Sequence, residues 1–250
     1  MKTLKINEKE IEKKITGFIK EKTKGFNGIV IGLSGGIDSA VCATLAAKAL
    51  GKDKVHALML PSSTTKEQDT EDANKLADHL KIKHKTINTK EIYNTIKAHS
   101  FTDNKKAHGN IMARIRMILL RDYAHSKNLL VLGTGNKSEL MIGYFTKNGD
   151  SGVDILPLGD LYKTQVRALA KHLNIDKKIT EKPPSAGLWQ GQTDEDEIGI
   201  TYETLDRILI AIENNTEPKE TPKKDTDKIK NMIKTSKHKT DPTPYPKVRQ

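Results

Sequence analysis

The chain has 250 residues, 30% of them charged and 4% aromatic, and a formal net charge of +11. This length suits one compact domain, and no apolar stretch approaches the length of a membrane span. No signal-peptide pattern opens the chain, and the single cysteine excludes an internal disulfide and a zinc site made of cysteines alone. We therefore expect a cytoplasmic protein that forms a single domain over residues 1–250. Because most lysines are scattered, we expect that it binds neither nucleic acids nor membranes.

Predicted strands and helices alternate along the chain. The run GIVIGL (28–33) is short, β-branched and almost wholly apolar, as in a strand that is buried on both faces. Predicted strands cover residues 28–33, 54–60, 84–89 and 129–135, and predicted helices cover residues 7–24, 39–50, 65–82, 110–128, 163–174 and 202–214. This order predicts an α/β fold, a doubly wound, mostly parallel sheet of about five strands with helices on both faces.

The end of the chain, about residues 218–250, is basic and contains most of the prolines that follow the last predicted long helix. We expect a linker there, then a short helix over about residues 226–237 and an irregular tail. Most of its lysines are expected to form a solvated charged surface.

The residues SGGIDS (34–39) directly follow the first predicted strand. Ligands of open α/β sheets bind beyond the carboxyl ends of the strands, and glycines let backbone N–H groups approach an anion closely. The helix that follows adds its N-terminal dipole. The lysine of a Walker A loop is missing, and the Asp38 carboxylate would repel a bare phosphate unless Mg²⁺ lay between them. We therefore predict a polyphosphate site with magnesium, the simpler alternative being a glycine turn with a capping aspartate.

Several longer motifs resemble one family. SGGIDS matches the SGGxDS signature of the N-type ATP pyrophosphatases, which cut ATP between its α- and β-phosphates, but this loop does not choose among their members. The other motifs are NIMARIRM (110–117), GTGNKSE (133–139), the segments 143–170 and 181–206, and KHKTDP (237–242). Together they closely resemble the ammonia-dependent NAD synthetases, from about Lys5 to about Pro242.

The resemblance implies a two-step ligase reaction. The nicotinate carboxylate of deamido-NAD would attack the α-phosphorus of ATP and expel pyrophosphate, and ammonia would then convert the acyl-adenylate to NAD and AMP. The implied magnesium ligands are Asp38 and Glu139, and the implied catalytic residues are Asp38, Lys163 and Asp150. The implied ATP-binding residues are Gly32, Leu33, Ser34, Gly35, Gly36, Ile37, Asp38, Ser39, Thr134, Lys163 and Ser185.

Simpler roles remain open for some of these residues. Glu139 alone could be a helix-start glutamate, and Thr134 an ordinary turn residue. Lys163 lies in the first turn of a predicted helix, where a cation is disfavoured, so a phosphate partner would explain it. The segment around Ser185 follows Pro-Pro and is expected to close over ATP, or else to be a rigid connector. The acids of QTDEDEIGI are expected to start a helix through a capping box of Thr193 and Asp196.

The resemblance also implies a set of anchors for deamido-NAD, with Asp150 positioning or deprotonating ammonium. A turn aspartate is the alternative for Asp150, and Arg116 is expected to point away from Arg114. The chain departs from the family pattern at Asn148, Ser151 and Thr240, and the first of these removes a ring that could stack. The implied anchors are Arg114, Lys147, Asp154, His238 and Lys239.

The nitrogen source is expected to be free ammonia. Glutamine-dependent relatives carry an amidase domain with a nucleophilic cysteine, whereas Cys42 lies among small apolar residues and is expected to be structural. The family further implies a homodimer whose interface includes residues 110–128. The alternatives are an RNA-modifying ATP pyrophosphatase, which would suit the positive charge, and a nucleotide-binding protein without catalysis.

Overall fold

A computed structural model describes residues 3–248 and shows a parallel sheet covered by helices on both faces. The four strands lie in the order β3-β2-β1-β4, and all three pairings are parallel. The strands are β1 (Gly28–Gly32), β2 (Val55–Met59), β3 (Lys83–Thr86) and β4 (Leu129–Leu132). The predicted doubly wound α/β fold is confirmed.

The sheet has four strands rather than about five. Beyond β4 only one residue pairs, in a parallel bridge between Leu132 and Ile155. The Asp154 carboxylate accepts a hydrogen bond from the Val131 N–H at 2.7 Å, so a side chain takes the place of a backbone carbonyl. Pro157, two residues after Ile155, has no N–H to donate to a strand pairing. The fifth strand is therefore reduced to this bridge.

Every long predicted helix is present. The structure adds α4, α6 and α8 and forms α9 at the predicted helix start near Thr193, and α5 begins before residue 110 because the Asn104 side chain caps it at Lys106 and Ala107. No helix within residues 3–248 is both long and apolar enough to cross a membrane. The helices are α1 (Glu8–Lys22), α2 (Ile37–Leu50), α3 (Glu67–Leu80), α4 (Lys90–Lys97), α5 (Lys105–Lys127), α6 (Lys137–Ile142), α7 (Lys163–His172), α8 (Lys177–Thr180), α9 (Asp194–Ile198), α10 (Tyr202–Glu213) and α11 (Lys223–Ser236).

Strand β1 is apolar throughout because both of its faces are covered. Ile29 and Ile31 are fully buried in one core, which also contains residues of α1, α2 and α7. Val30 is fully buried in a second core on the opposite face, with residues of β2, β4 and α5. The period-2 alternation of strand side chains produces this division.

The basic C-terminal part contributes to a third core. The short helix expected over about residues 226–237 is α11, which begins at Lys223, directly after Pro222. Ile229 is fully buried with Ile142 and Tyr202, so α11 packs on α6 and α10. The lysines of this helix are exposed, as expected for most of the basic tail, while its apolar residues recur at helical spacing and form the packed face.

Candidate active site

The SGGIDS stretch (34–39) forms a tight turn between β1 and α2, which we call the phosphate turn. The Ser39 hydroxyl donates to the Gly36 carbonyl oxygen at 2.9 Å and lies 3.0 Å from the Ser34 hydroxyl. Gly35 has φ +78, and a Cβ built there would lie 2.2 Å from the backbone oxygen of Asp69 in α3. Only glycine fits this position, both in conformation and in space.

We predict opposite effects of alanine at two glycines. Gly35→Ala should destabilise the protein by more than about 1 kcal/mol and weaken ATP binding, because the turn must open to admit a Cβ. Gly17→Ala, inside exposed helix α1 with nothing within 4 Å of its Cβ, should stabilise it by about 0.5–1 kcal/mol. Thermal unfolding and ATP titration of both variants check this. Equal stability of the two variants would contradict it.

Lys163 joins two carboxylates that are far apart in the chain. Its ammonium nitrogen lies 2.5 Å from Asp38 Oδ2 and 3.1 Å from Glu139 Oε1. Asp38 is in the first turn of α2, Glu139 in the first turn of α6 and Lys163 at the first position of α7. The structure thus brings the three residues together at the carboxyl end of the parallel strands. The unfavourable first-turn lysine is compensated by carboxylates.

The protein charges around Lys163 set the protonation of this centre. Burial alone would lower the pKa of Lys163, which is 2% exposed, but Asp38 and Glu139 raise it above its usual value. Burial raises the pKa of Glu139 to about 7, Lys163 opposes this shift, and the charges of Asp38 and Asp194 add to it. Three carboxylates thus surround one ammonium group, which favours an additional cation.

The raised pKa predicts how Glu139 affects stability. Native Glu139 keeps a proton that the unfolded chain releases above about pH 4.5, so stability falls as pH rises from about 5 to 7. Glu139→Gln, which preserves the helix cap, should therefore raise the melting temperature of the ligand-free protein at about pH 8 and change it little near pH 4. Melting curves across this range measure the difference. A gain confined to acid pH would contradict the prediction.

Neighbouring polar residues hold this centre in place. The Asn136 side-chain amide donates to Asp38 Oδ1 at 3.0 Å, and Asn136 and Glu139 form a capping box at the start of α6. Ser138 donates to Asp206 and accepts from the Lys163 N–H at 2.9 Å. The start of α7 is therefore tied to α6 and α10. Sequence reasoning missed Asn136, although the N-x-x-E spacing after a strand was a signal for it.

Asp194 and Tyr202 also belong to this centre. The Tyr202 hydroxyl donates to Asp194 Oδ2 at 3.0 Å, and the Lys163 ammonium lies 5.0 Å from the centre of the Tyr202 ring. Thr193 caps α9 at Asp196, so the predicted helix start is confirmed. The same helix start turns Asp194 inward, where it is 4% exposed, and no local pattern indicated that.

The donor set at this centre suits Mg²⁺. Asp38 and Glu139 offer carboxylate oxygens, which this hard cation prefers, and one ammonium already reaches both. Among residues 3–248 no three His, Cys, Asp or Glu side chains are arranged to hold a metal ion by themselves. This agrees with magnesium sites in which water and substrate phosphates supply the remaining ligands.

The predicted deamido-NAD anchors gather around residues 143–154, but most of their polar groups contact protein. Arg114 donates to the Lys147 carbonyl oxygen, and the Lys147 ammonium lies 2.7 Å from the His238 carbonyl oxygen. Lys239 donates to the carbonyl oxygens of Gly143 and Phe145. Residues 237–242, which we call the C-terminal strap, are thereby held against the segment that precedes Asp150.

Asp154 has hydrogen-bond partners that differ from those of the other predicted anchors. Arg121 donates to its Oδ1 at 2.6 Å, and Val131 N donates to its Oδ2. Both carboxylate oxygens are therefore occupied by the protein. Its proposed role as an anchor would require one of these contacts to be shared or exchanged.

Asp150 and Arg116 are close enough for their charges to interact. The Asp150 side chain is accessible to solvent but closely surrounded by protein, and this desolvation raises its pKa, which Lys239 and Arg116 oppose. Arg116 points away from Arg114, as expected, and its Nε donates to the Leu60 carbonyl oxygen just beyond β2. Arg116 therefore lies at the strand ends, a position that sequence reasoning did not assign to it.

Asn148 and Ser151, the two residues of this segment that depart from the family pattern, are joined by a hydrogen bond. Asn148 has φ +61, a left-handed conformation that asparagine tolerates well, and its N–H donates to the Ser151 hydroxyl at 3.2 Å. The Ser151 hydroxyl donates to the Thr146 carbonyl oxygen. The pair forms a self-contained turn beside Lys147.

Residues 181–193, which we call the roof segment, contact the loop before α3 and the start of α5. The Gly187 carbonyl oxygen accepts from the Thr64 hydroxyl at 3.1 Å, and the Lys105 ammonium lies 4.7 Å from the centre of the Trp189 ring. Ser185 is exposed and accepts from the Gly187 N–H, so it does not contact the Lys163 centre. Thr134 follows β4, is partly exposed, and its side chain makes no hydrogen bond within residues 3–248.

Cys42 is fully buried in α2, 3.6 Å from the Gly133 carbonyl oxygen. Burial raises the pKa of its thiol well above the usual value, and Asp38 and Glu139 add to this shift. The expectation of a structural cysteine agrees with this position, because a nucleophilic thiol needs a lowered pKa and access to solvent.

Comparisons with known proteins agree with this site. The NAD synthase family model matches residues 9–243. The NH(3)-dependent NAD(+) synthetase of Methanocaldococcus jannaschii is 46% identical, and the match covers 96% of this chain and 97% of that protein. The structure of NMN synthetase from Francisella tularensis has a TM-score of 0.89 and 41% identity, covering 98% of this chain and 100% of that one. The NH3-dependent NAD synthetase from Campylobacter jejuni has a TM-score of 0.85 and 35% identity, covering 97% and 100%. Because these matches extend from α1 to the C-terminal strap and include the phosphate turn, the chain belongs to the NAD synthase family.

Proposed function

We propose that the protein is a cytoplasmic ligase that amidates deamido-NAD with ammonia and ATP, giving NAD, AMP and pyrophosphate in the last step of NAD biosynthesis. The observation that carries this proposal is the convergence of Asp38, Glu139 and Lys163 beside the phosphate turn in a chain of this family. The family match disfavours an RNA-modifying enzyme, and the juxtaposition of these three residues disfavours a protein that has lost catalysis.

The phosphate turn and Lys163 account for the first step. The nicotinate carboxylate must approach the α-phosphorus of a polyanion, so the step depends on fixed donors and cations. Backbone N–H groups of the turn and the α2 dipole would hold the departing pyrophosphate. Lys163 can turn from its carboxylates toward the same phosphates. Within residues 3–248 the side chains of Thr134 and Ser185 make no hydrogen bond to a residue distant in the sequence, so both are available to ATP.

Asp38 and Glu139 would hold Mg²⁺. The ion, when bound, supplies positive charge to the polyphosphate and to the leaving pyrophosphate. In the ligand-free protein Lys163 balances part of the same negative charge, because its ammonium nitrogen contacts both carboxylates. We infer that this residue and the metal share the two carboxylates.

The cleft wall near Asp150 would serve the second step. Ammonium must lose a proton before it attacks the acyl-adenylate, and an accessible carboxylate with a raised pKa can accept one. Arg114, Lys147, Asp154, His238 and Lys239 would place deamido-NAD beside it. Their present contacts, mostly with backbone carbonyls, hold the segment that bears Asp150 in position.

A direct assay tests the proposal. The protein is given ATP, Mg²⁺ and deamido-NAD with either ammonium or glutamine, and AMP, pyrophosphate and NAD are quantified beside an Asp38→Ala control. We expect equal amounts of the three products with ammonium, none with glutamine, and none in the control. Formation of AMP without NAD would exclude deamido-NAD amidation.

Nicotinate mononucleotide is a second candidate acceptor. The Francisella tularensis protein is named an NMN synthetase, and its structure matches this chain over 98% of its length. The same assay with nicotinate mononucleotide, compared by kcat/KM, decides between the two acceptors. A ratio above about tenfold, a difference of about 1.4 kcal/mol in transition-state binding, would assign the acceptor.

We also infer a homodimer that involves α5. Ile118 on the outer face of this helix is 63% exposed, and Phe101, just before the helix, is fully exposed. Exposed large apolar side chains on α5 and just before it support a protein contact along this helix. Light scattering should give twice the monomer mass, and Ile118→Glu should reduce it. A wild-type monomer would contradict the inference.

A further inference from the structure

Lys182 connects three parts of the site at the start of the roof segment. Its ammonium nitrogen lies 2.7 Å from Asp69 Oδ1 and 2.6 Å from Asp72 Oδ2, both in α3. It also lies 3.4 Å from the carbonyl oxygen of Gly35 in the phosphate turn. Two prolines follow it directly and stiffen the segment that leads to Ser185.

The two aspartates bring negative charge behind the phosphate turn. The backbone of Asp69 touches the turn so closely that Gly35 has no room for a Cβ. Asp72 is 5% exposed, and Gln68 donates to its Oδ1 at 2.9 Å. Burial alone would raise the pKa of Asp72, but the hydrogen bonds from Lys182 and Gln68 hold it below its usual value. A polyphosphate in the turn would therefore meet a charged carboxylate nearby.

Lys182 is the cation that neutralises this charge. The two aspartates oppose the effect of burial and raise the pKa of Lys182, so it stays protonated. Without it, two carboxylates would lie behind the backbone that receives the phosphates. Like charges separated by about 10 Å still repel at the effective dielectric constant of about 20 found near protein surfaces.

We propose that Lys182 is a positioning residue for ATP. It neutralises Asp69 and Asp72 behind the phosphate turn, and it fixes the start of the roof segment against α3. This inference rests on the proposed function, because it takes the ligand of the turn to be the polyphosphate of ATP. Lys182 does not need to touch the substrate to act in this way.

Substitutions at Lys182 separate charge from packing. Lys182→Met should raise KM for ATP about tenfold, the effect of one unpaired charge at this range, and leave KM for the acceptor within about twofold. Adding Asp69→Asn to this variant should recover most of the loss, and Lys182→Arg should behave like the wild type. Lys48→Met is the matched control, because Lys48 makes a similar 2.7 Å ion pair with Glu12 between α1 and α2.

A direct binding measurement keeps the inference separate from the proposed function. Calorimetric Kd values for ATP and for pyrophosphate, taken at low and high salt, should show a weakening in Lys182→Met that shrinks as salt rises. An unchanged ATP Kd would overturn the inference. So would a loss that Asp69→Asn does not recover or that affects acceptor and ATP alike. Failure of the wild type to form NAD would overturn the proposed function. The Kd values for ATP and pyrophosphate would still test the role of Lys182 in that case.

Discussion

Replacing Lys163 with methionine should lower kcat for NAD formation by about 10²–10³-fold, because the variant loses a fixed cation where charge develops on the transferring phosphate. It should also destabilise the ligand-free protein by roughly 3–5 kcal/mol at neutral pH, since the mostly buried Asp38 and Glu139 lose the cation between them and keep only neutral hydrogen-bond donors. Added Mg²⁺ should restore much of the stability but not the activity. Denaturant unfolding and steady-state kinetics with and without Mg²⁺ measure the two effects separately.

Lys137 provides a matched control for Lys163. Its ammonium nitrogen lies 2.8 Å from Asp160 and 2.8 Å from Glu213, and its side chain is 11% exposed. Lys137→Met should therefore lose stability without a specific loss of kcat and without recovery by Mg²⁺. If Lys163→Met kept kcat within tenfold of the wild type, or if Lys137→Met lost as much, the catalytic role of Lys163 would be wrong.

Local patterns predicted the framework of the fold well. Strand β1 could be predicted because a strand buried on both faces must be apolar at every position, and α2 because small apolar residues end at Gly51. The short helices α4 and α6 were missed, since helices of 8 and 6 residues carry few periods of any pattern. The prediction of a fifth strand was wrong because of a tertiary contact: the Asp154 side chain accepts a hydrogen bond from β4.

The resemblance to the family, rather than a local pattern, indicated the centre of the site. Asp38 and Glu139 both follow parallel strands, so the fold class allows them to meet at one sheet edge. Asp194 and Lys182 could not be found in this way. Each lies in the segment between α8 and α10, and each has a partner far away in the sequence: Tyr144 lies 50 residues from Asp194, and Asp69 lies 113 residues from Lys182.

Asp38→Asn should reduce NAD formation by at least about 10²-fold and move the magnesium dependence to higher concentration. The substitution keeps the size of the side chain and its place in the first turn of α2, but it removes the charge that Lys163 and, in our proposal, Mg²⁺ share. Glu139→Gln removes the second charge and preserves the capping box at Asn136. Each single variant should therefore show the same defect, a weaker response to Mg²⁺ in the ATP-dependent step.

The double variant gives the more demanding test of a shared cation. Residues that bind one ion act as a unit, so Asp38→Asn with Glu139→Gln should be at most about tenfold worse than the poorer single variant. Independent roles would instead multiply the two losses. Magnesium titrations of the wild type, both single variants and the double variant give the coupling energy directly. Asn136→Ala removes one hydrogen bond to Asp38 but keeps the carboxylate and its contact with Lys163. This variant should therefore weaken the response to magnesium far less than either carboxylate change. An equal loss would mean that the geometry of Asp38, rather than its charge, controls the step.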